Sequence, residues 1–332
     1  MKTKIFTLLA LSAITLTSCS SKKAEEAATE QAYVFSYFDN KTQAAGLLLA
    51  YSFDGLHWTA LNDNKSILAP EVGKDKLMRD PSICQGPDGT FHMVWTSSWT
   101  DQIIGYASSK DLVHWSEQKA IPVMEWEPRT RNSWAPELYY DADTELFWIF
   151  WASSVPGAEG IITTTHSEDE YNHRIYCTTT KDFETFSETK LWFNPLFNAI
   201  DAAVVKDPEN GELIMAVKNE GLDPLEKNIR ISRAKSMAEG FDINVSDPIL
   251  DWHWLEGPSP IFLGNDLVIF FDKYREHKYG AVISHDHGYT WEDITDQIEM
   301  PAGMSHGTAF KVDKAVVDNL IAELGPKNNL YY

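Results

Sequence analysis

Apolar and polar positions along the chain follow a pattern that occurs four times. A short apolar segment is followed by a polar turn and then by a second run rich in β-forming residues. These second runs are Phe91–Thr96, Leu146–Trp151, Leu213–Val217 and Leu267–Phe271. The pattern predicts strands joined by tight turns, and a short helix is expected only at Lys314–Leu324.

A second repeated feature is a small polar residue followed by Asp and closed by an aromatic residue. Its sharpest copy is Ser284–Trp291, and the closing positions lie 50 to 71 residues apart. The five closing residues are Trp58, Trp115, Phe186, Phe241 and Trp291. Because this interval is about one propeller-blade length, the repeat predicts an all-β, five-bladed β-propeller with four strands in each blade.

The fifth blade is expected to take its strands from both ends of the chain. Its first strand lies at Gly307–Val312, whereas its other strands lie at Tyr33–Phe38 and Leu47–Tyr51. A ring closed in this way by N- and C-terminal strands has no open sheet edge. We therefore predict a single propeller domain over residues 32–332.

The N-terminal residues have the pattern of an export signal. Two lysines precede the apolar run Ile5–Leu16, which ends shortly before Cys19 in a sequence that resembles a bacterial lipobox. We predict a lipoprotein signal peptide at residues 1–18, lipidation of Cys19 and a flexible tether at residues 19–31. The protein is then expected in the cell envelope, at the outer membrane, where it contacts the membrane through its lipid anchor alone.

Composition and charge exclude two classes of protein. With 43% hydrophobic residues, of which many are aromatic, the chain is too apolar for a disordered protein. Its 28 basic and 49 acidic residues give a net charge of −21, which argues against a nucleic-acid partner. The composition is compatible with a neutral, hydroxyl-rich ligand such as a sugar, and no obligate protein partner is evident. Beyond Cys19, the sequence leaves open whether Cys84 and Cys177 form a disulfide.

A polar or charged residue stands at the start of each predicted first strand. These residues are Asp80, Glu137, Asp201, Glu256 and His306. Because the first strand of every blade lines the central channel, we expect the five side chains at matching positions around one axis. Glycoside hydrolysis uses a pair of carboxyl groups, in which one donates a proton and the other activates water or attacks carbon.

The segments around these residues resemble the motifs of glycoside hydrolase family 43, whose members are five-bladed propellers. The matching segments are Arg79–Ile83, Trp134–Glu137, Ala199–Ala203, Glu256–Pro258 and His306. The resemblance implies that Asp80 is the general base, that Glu256 is the general acid, and that Asp201 orients the acid and tunes its pKa. In several members the residue that matches His306 lies beside a channel metal ion, usually calcium. We therefore expect His306 to support such an ion or an ordered water, and the alternative is a hydrogen bond to channel backbone.

The resemblance further implies an inverting glycosidase that removes arabinofuranosyl or xylosyl units, and we expect exo action on plant-type oligo- or polysaccharides. The candidates for substrate contact are Arg79, Trp99, Trp134 and Glu137. Two alternatives stay open: the same scaffold acting on galactose or galactofuranose linkages, and a non-catalytic carbohydrate-binding lipoprotein. Loops such as Gly157–His173 are expected to decide the sugar.

Overall fold

The computed structural model describes residues 30–42, 45–161, 167 and 170–326. The predicted signal peptide, Cys19 and most of the predicted tether lie outside the described residues, as does part of the loop 157–173. Within the described ranges, no helix is long and apolar enough to cross a membrane. The helix α1 (Lys314–Leu324) has the bounds predicted from the sequence.

The strands form five antiparallel sheets in the described part of the chain, here called blades I to V. The first strands of the described residues belong to blade V and are β1 (Gln31–Asp39), β2 (Leu48–Ser52) and β3 (Thr59–Ala60). Blade I consists of β4 (Arg79–Gln85), β5 (Phe91–Thr96), β6 (Ile104–Ser109) and β7 (Lys119–Ile121). Blade II consists of β8 (Trp134–Asp141), β9 (Leu146–Ser154), β10 (His173–Thr180) and β11 (Lys190–Phe193).

The second half of the chain completes the ring. Blade III consists of β12 (Ala199–Lys206), β13 (Leu213–Asn219) and β14 (Asn228–Ala234). Blade IV consists of β15 (Glu256–Leu263), β16 (Asp266–Lys273), β17 (Lys278–Ser284) and β18 (Glu292–Asp293). The last strand, β19 (Met304–Asp313), returns to blade V as the neighbour of β1.

The two ends of the chain close the propeller. Strand β19 pairs with β1 from Gln31↔Asp313 to Asp39↔Met304. The innermost strands β4, β8, β12, β15 and β19 contact one another in that order, and β19 also contacts β4. The five-bladed propeller and its closure by terminal strands are therefore confirmed.

Blade III departs from the expected four strands, because its sheet has three. The segment 242–249 runs beside β14 without regular strand pairing. The N–H groups of Asp242, Ser246 and Ile249 donate to β14 carbonyls at 2.8 to 3.1 Å. This spacing is not the two-residue repeat of a strand. The Ser246 Oγ accepts the Ile231 N–H at 2.9 Å in place of a backbone carbonyl, and Pro248 has no N–H to donate.

Neighbouring blades pack through buried apolar side chains, and alternation along a strand decides which neighbour each side chain meets. Strand β13 is buried along its whole length. Leu213, Met215 and Val217 pack in the cluster shared with blade II, whereas Ile214 and Ala216 pack in the cluster shared with blade IV. In the described structure, five such clusters fill the five spaces between blades.

The two cysteines that the sequence left open are both free thiols. Cys177 lies in the apolar cluster between blades II and III, whereas Cys84 lies on the inner strand of blade I. Burial raises the pKa of both thiols to about 12, so neither is a thiolate near neutral pH.

The Asp-containing repeat forms one kind of turn after the third strand of a blade. In blade I, the Ser109 Oγ accepts the N–H of Leu112 at 2.8 Å. Asp111 Oδ1 accepts the next two N–H groups, those of Val113 and His114, at 2.9 and 2.8 Å. Corresponding contacts are made by the pairs Ser52 and Asp54, Thr180 and Asp182, and Ser284 and Asp286.

We predict that Asp111→Ala lowers the free energy of unfolding by about 1–3 kcal/mol, because two N–H groups lose a charged acceptor. Equilibrium urea unfolding measures this change. Asp251→Ala is the matched control, since Asp251 is exposed and lies outside these turns. Equal losses in the two variants would contradict a structural role for the turn.

Candidate active site

The innermost strands share a β-bulge at the same height. In each one, an extra residue interrupts the ladder, so two pairing residues are separated by three positions instead of two. The last paired residues before the bulge are Arg79, Trp134, Ile200, Glu256 and Ser305. The residues that follow them, and begin the bulge, are Asp80, Ala135, Asp201, Gly257 and His306.

This register corrects the expectation that five polar residues occupy matching positions. Asp80, Asp201 and His306 are equivalent, but Glu256 lies one residue before the bulge position and Glu137 two residues after it. Sequence spacing alone does not show where a strand inserts its extra residue. The bulge changes the direction of nearby side chains, so residues from different ladder positions reach the central axis of the propeller.

The bulges hold the backbone in an uncommon conformation. Asp80 and Asp201 both have φ of +52°, and Gly257 has φ of +57°. Such left-handed backbone is costly for most residues, although Asp tolerates it better than most. At Gly257 a side chain is also excluded, since a Cβ there would lie 2.4 Å from the ring of His306.

Asp80 is a buried carboxylate between a hydroxyl group and an imidazole. Thr96 Oγ1 donates to Asp80 Oδ2 at 2.8 Å and accepts the Ala135 N–H at 2.8 Å. The backbone of blade II therefore orients the Thr96 hydroxyl toward Asp80. His306 Nδ1 lies 3.3 Å from Asp80 Oδ1. Burial alone would raise the pKa of Asp80, but His306 and Arg79 hold that pKa below its ordinary value. Asp80 is therefore ionised near neutral pH.

His306 is placed between two carboxyl groups. Its Nδ1 lies 4.0 Å from Asp201 Oδ1, and Asp201 Oδ2 accepts the N–H of Gly257 at 3.1 Å. Burial disfavours a charged imidazole, yet Asp201 and Asp80 outweigh it and raise the pKa of His306 to about 9. Burial also raises the pKa of Asp201 to about 6, although His306 opposes this shift.

Glu256 contacts a buried lysine. Lys218 Nζ donates to Glu256 Oε2 at 3.1 Å and forms a second ion pair with Glu220 Oε2 at 2.7 Å. On the adjacent strand β16, Asp272 is the ladder partner of Glu256. Burial and the nearby Glu256 raise the pKa of Asp272 to about 8, so Asp272 is largely protonated at neutral pH.

One small pocket with an aromatic wall lies between Asp80, His306 and Glu256. The pocket has a volume of about 120 Å³, and the charged residues that line it are Arg79, Asp80, Asp201, Lys218, Glu220, Glu256 and His306. In its wall, Trp99 and Trp134 meet edge to face with ring centres 5.9 Å apart. The guanidinium of Arg79 lies 4.7 Å from the Trp99 ring centre. The pocket thus combines carboxyl groups with apolar ring faces suited to a sugar.

Comparison with known proteins agrees with this geometry. The model of a family related to glycoside hydrolase family 43, described as "probable glycosyl hydrolase domain", matches residues 29–318. The chain belongs to this family. The description of this family supports a glycosidase, and it implies that the substrate is a carbohydrate. The family resemblance inferred from the motifs is therefore confirmed. A search of curated proteins finds no match.

Two solved structures have a similar fold. One is a thermostable family-43 glycoside hydrolase, with 14% identity over 69% of this chain and 78% of that chain, and a TM-score of 0.50. The other is the native arabinanase of Bacillus subtilis, with 16% identity over 71% of this chain and 81% of that chain, and a TM-score of 0.50. At these identities the likeness concerns the fold, and it matches the propeller described above.

In this family member, Glu137 does not line the pocket. Its Oε2 accepts the Ser82 hydroxyl at 2.6 Å, and its Oε1 accepts the Thr308 hydroxyl at 2.8 Å. Ser82 in blade I and Thr308 in blade V each occupy the first paired position after the bulge, as Glu137 does in blade II. Burial raises the pKa of Glu137 to about 7, although Ser82 opposes this shift. The side chain joins the inner strands of blades I, II and V.

The protein groups around His306 do not by themselves form a calcium site. Its Nδ1 faces Asp80 and Asp201, and a protonated imidazole has no lone pair to give a metal. Among the described residues, no group of three or more His, Cys, Asp or Glu side chains is arranged to hold a metal ion. Calcium prefers about six to eight oxygen ligands. Calcium beside His306 therefore stays a prediction that needs water ligands.

Three titratable residues of the site were not predicted from the sequence, namely Lys218, Glu220 and Asp272. Lys218 follows the apolar run Leu213–Val217, and Asp272 follows the apolar run Leu267–Phe271. A titratable residue that directly follows a buried apolar run was the signal that could have identified Lys218 and Asp272. Because a buried charge is costly when it is unpaired, such a residue indicates a charged partner nearby.

We predict that raising the pH weakens the fold through His306. Its pKa is raised from 6.5 to about 9, so the folded protein binds this proton more tightly than the unfolded chain does. The stability that follows is complete below pH 6.5 and is lost as the pH rises to about 9. We expect the Tm of the wild type to fall over this interval more steeply than the Tm of His306→Gln.

Thermal unfolding between about pH 6 and 10 measures both curves. Asp272, whose pKa is raised to about 8, adds its own decrease in stability to both proteins, so the prediction concerns the difference in slope between the two curves. His285→Gln is the control, because that histidine is exposed and its interaction with Asp266 is screened by solvent. The same slope in His306→Gln as in the wild type would contradict the assignment.

Proposed function

We propose that the protein is an inverting, exo-acting glycosidase that releases arabinofuranosyl or xylosyl units from plant-type oligo- or polysaccharides. The observation that carries this proposal is the convergence of Asp80, Asp201 and Glu256 on one small pocket. They come from three different blades, I, III and IV. An ionised carboxylate and a proton-donating carboxyl at one pocket are the pair that glycoside hydrolysis requires.

In this proposal Asp80 is the general base and Glu256 the general acid. Since His306 and Arg79 keep Asp80 ionised, it takes a proton from the water that attacks the anomeric carbon. Glu256 gives a proton to the glycosidic oxygen as the bond to that oxygen breaks. Asp201 accepts the N–H of Gly257 and so holds the strand that carries Glu256.

The pocket shape supports exo action. A volume of about 120 Å³, bounded by Trp99 and Trp134, fits a recess for one terminal sugar better than a groove for a continuous chain. The choice of arabinofuranosyl or xylosyl units rests on the motif segments around the catalytic carboxyls. A screen of aryl glycosides tests it: cleavage of arabinofuranosides or xylosides supports it, and cleavage of galactosides alone would replace it. No cleavage of any glycoside would favour the carbohydrate-binding alternative.

The location of the enzyme is a separate proposal. The lipobox-like sequence ending at Cys19 supports a lipid anchor at the outer membrane. The small and charged residues that follow support a flexible tether at residues 19–31. An anchored glycosidase would meet polysaccharide outside the inner membrane.

We predict that Glu256→Gln loses activity according to how much help the leaving group needs. On oligosaccharides the rate should fall about 10²–10⁴-fold, which is the usual contribution of a general acid. On aryl glycosides with a nitrophenol leaving group the fall should be much smaller, because the departing oxygen needs no proton. Values of kcat/KM on both substrates measure the contrast, and equal losses would reject Glu256 as the acid.

We also predict inversion at the anomeric carbon. Blades I and IV are not neighbours in the ring, so Asp80 and Glu256 approach the pocket from separate sides. Such a placement favours the wide separation of roughly 6.5–9.5 Å that leaves room for a water, over the roughly 5–5.5 Å of retaining enzymes. Asp80→Asn should be inactive on oligosaccharides and on activated glycosides alike, because neither supplies a base.

NMR of the first-formed sugar measures the stereochemical outcome. The product should have the anomeric configuration opposite to that of the substrate. A product with the configuration of the substrate, or a covalent sugar adduct on Asp80, would overturn the mechanism.

A further inference from the structure

Lys218 is a buried charged residue of the pocket that the mechanism above does not use. On β13, the alternate residues Ile214 and Ala216 pack against blade IV. By the same alternation Lys218 faces blade IV, where its Nζ donates to Glu256 Oε2 at 3.1 Å. The strand that carries the lysine is thus built to present it to the proposed general acid.

The ammonium group of Lys218 is fixed from several sides. Its side chain is only 4% exposed, and it forms a second ion pair with Glu220 at 2.7 Å. The other carboxylate oxygen of Glu220 is bound by Lys227, and the ring of Tyr274 lies 4.8 Å from Lys218 Nζ. Because an unpaired buried ammonium is costly, Lys218 does not turn away from Glu256 without loss of stability.

This contact distinguishes the two oxygens of the Glu256 carboxyl group. Oε2 accepts from Lys218, while no side chain among the described residues donates to Oε1. The Glu256 side chain is 20% exposed and borders the pocket, so it reaches a bound substrate. Oε1 is therefore the oxygen left to carry the proton that is transferred.

We propose that Lys218 is a positioning residue, which orients the Glu256 carboxyl so that Oε1 delivers its proton and which stabilises the carboxylate that remains. The proposal rests on the proposed role of Glu256 as the general acid. In the step, the Oε1–H bond breaks and an O–H bond forms on the leaving oxygen. That oxygen keeps the electron pair of its broken bond to carbon, and Lys218 keeps all its protons. Glu220, anchored by Lys227, holds Lys218 in place.

The test compares Lys218→Met with the wild type on a series of aryl glycosides of one sugar. The leaving phenols of the series span a range of pKa values. We expect kcat/KM of the variant to fall at least about tenfold for the poorest leaving group, but by no more than the roughly 10²–10⁴-fold that a general acid contributes, and to fall little for the best. Its dependence on leaving-group pKa should therefore steepen, as we also expect for Glu256→Gln. A purely structural role would lower all members of the series in parallel.

Lys206→Met is the matched control, because Lys206 pairs with Asp143 at 2.7 Å outside the pocket. It should keep the wild-type dependence on the leaving group. Glu220→Gln is the second variant, since it keeps the shape of the side chain while weakening the hold on Lys218. It should steepen the dependence to a smaller extent.

The outcomes distinguish a failure of the proposed role of Lys218 from a failure of Glu256 as the general acid. Parallel losses across the series in Lys218→Met overturn the proposal. If Lys218→Met fails to fold, a wild-type dependence in Glu220→Gln overturns it instead. If Glu256→Gln itself shows no steepening, the assignment of the general acid fails, and the role of Lys218 fails with it.

Discussion

The site depends on placing buried cations between carboxyl groups. His306 lies 3.3 Å from Asp80 and 4.0 Å from Asp201, and Lys218 lies 3.1 Å from Glu256. At the axis of a propeller, several carboxyl groups would otherwise repel one another and resist ionisation, because burial disfavours charge. The effect of the His306 cation on the pKa differs between its two carboxyl neighbours. His306 holds the pKa of Asp80 below its ordinary value, whereas burial still raises the pKa of Asp201 to about 6. Such graded protonation is what acid–base catalysis uses.

This charge cluster exists because the inner strands are bulged at one height. The bulges turn Asp80, Asp201 and His306 toward the same axis, while the regular ladder beside them carries Glu256. Outside the bulges, strict alternation returns. That alternation lets β13 pack its apolar side chains against both neighbouring blades and still present Lys218 to blade IV. Apolar packing and charge placement therefore come from the same strand.

Much of the fold could be predicted from local pattern. The repeated turns depend on contacts within about five residues, as when Asp111 accepts the N–H groups of Val113 and His114. Their spacing therefore counts the blades correctly. The same reasoning failed for the fourth strand of blade III, because whether segment 242–249 pairs regularly depends on its contacts with β14. The site was predicted in part: the motifs indicated Asp80, Asp201, Glu256 and His306, and these four do share one pocket.

By itself, the sequence determined the class of fold, the number of blades, the closure by terminal strands and the carboxyl groups of the pocket, because each has a local signature. Only the tertiary structure decided which residues share a level in the channel. A bulge of one residue shifts that level, which left Glu137 bonded to Ser82 and Thr308 outside the pocket. The tertiary structure also decided the partners of the buried charges. Lys218 and Glu256 are far apart in the chain, and only the packing of blade III against blade IV brings them within 3.1 Å.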